Sequence, residues 1–327
     1  MSQIKKMPLG NNQAGKTPGP KAVTRDLKRR RAAFIIASVV IVLILIIVGV
    51  SLYINSAPFR RIIITVDDIS INMDYFLKRT RLEGRNPMEM LEGLTNEQLI
   101  KMVAPQYVGE VTSGDIDQTL RDIAGGESGT ISESEFKEWY RQLINEIDLS
   151  DSEYRDYVGT LLLTTRLHEY LAERVPTVTE QVHLHSVLLS IEEAGRIWEG
   201  REAGEDTDRL ISEMWQDKQS EGVIEDQGWL PRGVLPYGFD EVVFSLTIDD
   251  VSDPLALLGD DPISDEIFYY LLMVSEKADA REVDEDSLQT LKAVVLDEWL
   301  SEEIKFHEVA WNYNSEIDAW IKWQLTK

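Results

Sequence analysis

The sequence predicts an α+β protein in which one N-terminal membrane-spanning helix carries a mostly helical frame with a small strand-containing domain set into it. Three observations predict this: a long charge-free apolar stretch near the start, serine-led capping signals ahead of amphipathic runs, and a change to strand texture after Thr177 that reverts to helix at Asp284.

The first 31 residues carry nine Lys/Arg (Lys5, Lys6, Lys16, Lys21, Arg25, Lys28, Arg29, Arg30 and Arg31) against the single acid Asp26, with scattered Gly and Pro and no apolar periodicity. Such a segment buries too little to fold and reads as a disordered basic tail. No charged side chain occurs from Ala32 to Phe59, and Phe34 to Ile54 is almost wholly Ile, Val, Leu and Ala. At about 1.5 Å per residue this run spans roughly 30 Å, the hydrocarbon thickness of a bilayer. It is longer than the apolar core of about 7–15 residues in a cleaved signal peptide. Positive charge ahead of it places the N-terminus in the cytoplasm and the bulk of the chain outside, at the cell membrane. Arg60 and Arg61 weaken that bias without reversing it.

The net charge is −25. The tail contributes +8 of this, so the exported part carries −33. A surface that negative repels nucleic acid and anionic lipid head groups, and no nucleic-acid partner is expected. There is no cysteine, which excludes disulfides, thiolate metal sites, a cysteine nucleophile and a lipid-modified cysteine, and leaves the helix itself as the anchor. No cofactor and no metal are expected. No acidic run has calcium-loop spacing, and His183-x-His185 has ligand spacing without a third ligand in view; His168 and His307 lie apart.

After a short strand at Ile62–Val66, the chain reads as helices. Amphipathic stretches cover residues 74–82, 95–103 and 113–123, and Gly125-Gly126 with Gly129 marks a loop. Ser132-x-x-Glu135 is a capping box before Phe136, Trp139, Tyr140 and Leu143. Ser150-x-x-Glu153 repeats it before a long helix ending near Val175-Pro176. From Thr177 the order is strand (182–189), two helices (192–200 and 207–215), a turn-rich stretch (226–238), a helix (239–246) and a strand (268–275), a compact α+β pattern. Helix returns over 284–324, with Leu288, Leu291, Val295, Trp299 and Ile304 roughly on one face. The domains are therefore a tail (1–31), a transmembrane helix (32–56), a helical domain (57–178, completed by 284–327) and an inserted α+β domain (179–283).

The insert carries Gln227-Gly228-Trp229-Leu230-Pro231-Arg232-Gly233, then Phe239-Asp240-Glu241-Val242-Val243-Phe244-Ser245-Leu246, then Val251-Ser252-Asp253-Pro254. These three elements, in this order and near this spacing, resemble the parvulin-type peptidyl-prolyl isomerases (rotamases). Val66-Asp67-Asp68-Ile69-Ser70 and Val178-Thr179-Glu180-Gln181-Val182 are similar, more loosely, to the N-terminal turn and the junction of membrane-bound foldases of the PrsA and SurA kind.

The resemblance implies a site that speeds rotation about the bond before proline, whose barrier is about 18–20 kcal/mol. It implies an apolar proline slot at Leu235 and Phe239, with Trp229 nearby. It implies a polar floor at Asp217, reached by counting back from Gly228-Trp229 without a gap, and at the two family histidine positions. Those two positions are here Ser186 and Tyr270. His185 precedes Ser186, and one residue's shift along a strand points a side chain to the opposite face. Leu258-Gly259-Asp260-Asp261-Pro262 departs from the family pattern as an insertion.

The expected function is that of a membrane-anchored extracytoplasmic folding factor that binds unfolded or proline-containing segments of exported polypeptides. Peptidyl-prolyl cis-trans isomerisation is expected to be weak at most. The alternative is a non-catalytic holdase chaperone using Trp139, Tyr140, Trp299, Trp311, Trp320 and Trp323 of the helical part. A scaffold that signals to the cytoplasm has only the basic tail in its favour. Self-association into a homodimer is left open.

Overall fold

The computed structural model describes residues 41–48, 56–126, 130–236, 238–258 and 267–327. Residues 1–62 with 72–74 form one unit, and 63–71 with 75–327 a second. In the first, residues 41–48 are helical with every side chain exposed, Pro58–Arg60 is a short 3-10 turn, and the Met73 amide donates to the Arg61 carbonyl at 2.8 Å. Among the described residues no helix is long and apolar enough to cross a membrane. Most of the stretch predicted to do so, and the whole basic tail, lies outside them.

Except for their outer residues Ile62 and Asn72, β1 (Ile62–Val66) and β2 (Ile69–Asn72) belong to the second unit, joined by a tight turn in which Asp67 has φ +49°. β7 (Val309–Trp311), which the helical reading of 284–324 missed, pairs antiparallel with β1 through Ile64↔Trp311 and Val66↔Val309. Asp67 reinforces this closure. Its carboxylate accepts from the Glu308 amide at 2.8 Å and bonds His307 Nδ1 at 2.7 Å.

The helices α1 (Met73–Glu83), α2 (Pro87–Val103), α3 (Pro105–Val108), α4 (Ser113–Gly125), α5 (Glu133–Glu146) and α6 (Asp151–Ala172) follow. Both predicted boxes form, at Ser132/Glu135 and Ser150/Glu153, and Asn86/Glu89 and Thr112/Asp115 add two more. Each satisfies amides that a helix start otherwise leaves unpaired. Leu120, Leu149, Tyr154 and Val158 form a core where α4 and α6 meet. Arg79 is fully buried, its guanidinium bonded to Glu83, Glu97 and the Tyr75 hydroxyl.

The second sheet has four strands in the order β4-β3-β6-β5: β3 (Val178–Leu189), β4 (Glu225–Pro231), β5 (Leu255–Leu258) and β6 (Ile267–Glu282), all neighbours antiparallel. The stretch read as turn-rich, 226–238, is therefore strand for its first part. Side chains of β3 alternate between faces. Val187 and Leu189 pack under α7 (Ile191–Glu202) and α8 (Thr207–Glu221), with Ala194, Ile197, Ile211, Met214 and Trp215. Val182 and Leu184 pack on the other face with Phe239, Val243 and Phe244 of α9 (Phe239–Ser245). α10 (Glu285–Glu303) and α11 (Ser315–Leu325) complete the chain.

Candidate functional site

Two bulges aim polar side chains at the middle of β3. On β4, Leu184 faces Gly228 while the next residue, His185, faces Asp226, so Gln227 is the extra residue. Gly228, with φ +73°, supplies the left-handed backbone such a bulge uses. On β6, His183 faces Glu276 and Leu184 faces Val274, so Ser275 is extra. β3 itself runs without a break, and its even- and odd-numbered residues define two different surfaces.

The even surface carries most of the residues expected of a proline site. Ser186 is buried, and Gln227 Nε2 donates to its Oγ at 2.9 Å. Its partner on β6 is Leu272, and Tyr270 lies two places along that strand on the same face. The Tyr270 ring meets Phe239 edge-on at 6.4 Å between centroids. Leu235 packs half-buried against the same cluster, whereas Phe239, only 6% exposed, is core as much as wall. Ser186, Tyr270, Leu235 and Phe239 thus come together.

Asp217 and Trp229 do not join them. α8 continues unbroken to Glu221 and β4 begins at Glu225, so no loop lies where the ungapped count placed a catalytic carboxylate. Asp217 is exposed on a helix that covers the odd surface. The place beside Ser186 is taken by its register partner Glu225 and by Gln227. Trp229 faces His183 across the strands and stacks on its ring, 5.4 Å between centroids and 17° between planes. It therefore lies on the odd surface, with the Arg281 guanidinium 4.4 Å from its ring centre.

The odd surface gathers what the sequence left unassigned. His183 and His185 have ring centroids 5.1 Å apart. Asp226 Oδ1 bonds His183 Nε2 at 2.8 Å and accepts from the Gly228 amide at 2.9 Å. The Gly228 amide first, and His183 second, hold the Asp226 carboxyl below its usual value. His185 Nε2 lies 3.1 Å from Ser275 Oγ. Beside Trp229 opens a cleft of about 1070 Å³, lined by Trp229 and Arg281 and by Asp284, Glu285, Asp286 and Ser287 at the start of α10. Gln227, Asp226 and Ser275 escaped the sequence reading; the one available signal was a glycine inside a strand, which marks a bulge.

No protein-family model matches the chain. A curated relative, the foldase protein PrsA of Halalkalibacterium halodurans, is 23% identical over 223 residues, covering 63% of this chain and 63% of the relative. The chain thus spans under two thirds of the length of the curated relative it matches. The resemblance to a parvulin-type, PrsA/SurA-like foldase read from the sequence is borne out by this match. Among solved structures, the peptidylprolyl isomerase PrsA from Bacillus anthracis aligns at 16% identity with a TM-score of 0.30, over 72% of this chain and 95% of that one. A SurA-like chaperone from Campylobacter jejuni aligns at 13% identity and 0.27, over 77% and 99%.

Proposed function

We propose that this protein is a membrane-anchored, extracytoplasmic folding factor of the PrsA/SurA kind that binds proline-containing segments of exported polypeptides and isomerises them weakly at most. Residues 32–56 anchor it. The helical domain of 57–178, completed by 284–327, is the frame, and 179–283 is the peptide-handling insert. The observation that carries the reading is the grouping of Ser186, Tyr270, Leu235 and Phe239 on one sheet face, with Gln227 bonded to Ser186. Hydroxyls and an amide donate to a twisted peptide bond, but they supply no imidazole to stabilise its shifting charge. Binding is therefore favoured over catalysis.

Isomerisation of an X-Pro peptide by the full chain, alongside suppression of aggregation of a denatured client, tests this. The expected result is suppression with little rate gain, and a measurable gain in the Ser186→His/Tyr270→His double variant. No suppression at equimolar chain, with rates equal to the uncatalysed reaction in both proteins, refutes it.

The second reading, a holdase, has the Trp229 cleft in its favour. Its rim of Glu282, Asp284, Glu285 and Asp286 suits a basic unfolded segment whose apolar residue lies on the indole. Trp229→Ala abolishing suppression while Leu235→Ala preserves it would select this reading.

A further inference from the structure

We propose that His183, His185 and Asp226 form a binding site for a divalent transition-metal ion of the zinc type, with Glu276 orienting His183. Ligand atoms of the three side chains all lie within 4.8 Å of one another. A tetrahedral zinc ion with bonds of about 2.0–2.1 Å requires its donors roughly 3.4 Å apart. Asp226 is exposed and both histidines are half-buried, so side-chain rotation alone closes the remaining gap. Two imidazoles and a carboxylate suit zinc, and three protein ligands leave a fourth position for water or a bound peptide group.

A second observation points to the same ligand. Nδ1 of His183 is buried and bonds nothing. Its nearest carboxylate oxygen, Glu276 Oε1, lies 3.7 Å away. When Nε2 coordinates a metal, Nδ1 must carry the proton, and metal-bound histidines donate that N–H to a carboxylate in a hydrogen bond. A small rotation of the exposed Glu276 completes this pair. Metal binding thus satisfies the orphaned nitrogen and replaces the Asp226–His183 hydrogen bond by two coordinate bonds. Both bulges contribute: the one at Gln227 brings Asp226 opposite His185, and the one at Ser275 brings Glu276 opposite His183.

Chelator-treated full chain is titrated with Zn²⁺ by calorimetry and with Co²⁺ as a visible-absorption probe. One ion per chain is expected to bind here. His183→Ala, His185→Ala and Asp226→Asn should each weaken binding roughly 100-fold, the scale that one of several coordinate bonds carries. Glu276→Gln should cost about 10–100-fold. His168→Ala, whose ring bonds the Lys292 carbonyl elsewhere, should leave the affinity unchanged. In the parent protein, Zn²⁺ should shift the ring signals of His183 and His185 and spare those of His168, a readout that requires no variant. Absence of binding, equal affinity in all the variants, or unshifted His183 and His185 signals would overturn the site.

Discussion

Replacing Gly228 with alanine isolates the bulge on which both surfaces of the sheet depend. Gly228 has φ +73°, and a Cβ there would meet no atom within 4 Å. The cost is therefore backbone strain alone, about 1–2 kcal/mol for an L side chain in the left-handed region. Gly222 at the C-cap of α8 has the same φ and equally open space, so Gly222→Ala carries the same strain with no bulge attached. Each variant should lower Tm by about 2–8 °C in a unit of this size. The two then part company. Gly228→Ala relieves its strain by giving up the bulge, which draws Gln227 from Ser186 and Asp226 from His183; Gly222→Ala only frays a helix end. Thermal melts give the stability, and histidine ring NMR signals give the local effect: His183 should shift in Gly228→Ala alone. A Gly228→Ala protein as stable as the parent, with an unmoved His183 signal, would refute the bulge as the organising device.

Arg79→Met should destabilise by about 3–5 kcal/mol, because it strands Glu83 and Glu97 beside a buried apolar stem. A Tm within a degree or two of the parent would show that the network carries no buried charge. The His307–Asp67 contact raises the pKa of His307, chiefly through its bond to Asp67, and lowers that of Asp67, chiefly through His307 and then the Glu308 amide. The raised group stabilises fully below about pH 6.5 and loses its contribution as pH climbs through the folded value. The lowered one stabilises above about pH 3.9 and fades as pH falls through its folded value. His307→Gln should therefore cost most near about pH 5–6 and progressively less in alkali; a deficit that grows with pH is the opposing result. Burial lifts the Asp240 pKa despite the Gly233 amide, and its Oδ1 bonds nothing. Its carboxylate thus opposes folding increasingly as pH rises, so Asp240→Asn should raise Tm at neutral pH and lose that advantage in acid.

Much of the architecture was legible because it rests on local signals. Ser132, Glu135, Ser150 and Glu153 announce helix starts through bonds made within four residues, and the β3 run and α9 are set by apolar side chains on short periods. β7 was not legible. Three residues, Val309 to Trp311, become a strand only because β1, nearly 250 positions earlier, offers an edge. The site divided in the same way. Ser186 and Tyr270 share a face because alternation along paired strands fixes it, and Leu235 and Phe239 pack onto that face from the turn before α9 and from its first residue. Asp217 lies apart because it belongs to the unbroken helix 207–221, which covers the odd surface. Trp229 lies apart because it pairs with His183 and so shares the odd surface of β3.

Alternation along β3 also fixes where its imidazoles lie. In β3 a histidine at position 186 would lie on the face of Tyr270 and Phe239, while one at 185 lies with Trp229 and Asp226 on the reverse. No small rearrangement converts one into the other, because sliding β3 by a single residue would also exchange buried Val182 and Leu184 for His183 and His185 in the α9 core. Burying two imidazoles there without partners costs several kcal/mol, more than any single hydrogen bond gained would return. The register is thus locked by the apolar residues, and the histidines are committed to the reverse face. The imidazoles of this sheet therefore lie on the face of Trp229 and Asp226, and the Ser186 face presents a hydroxyl, the Gln227 amide and apolar walls.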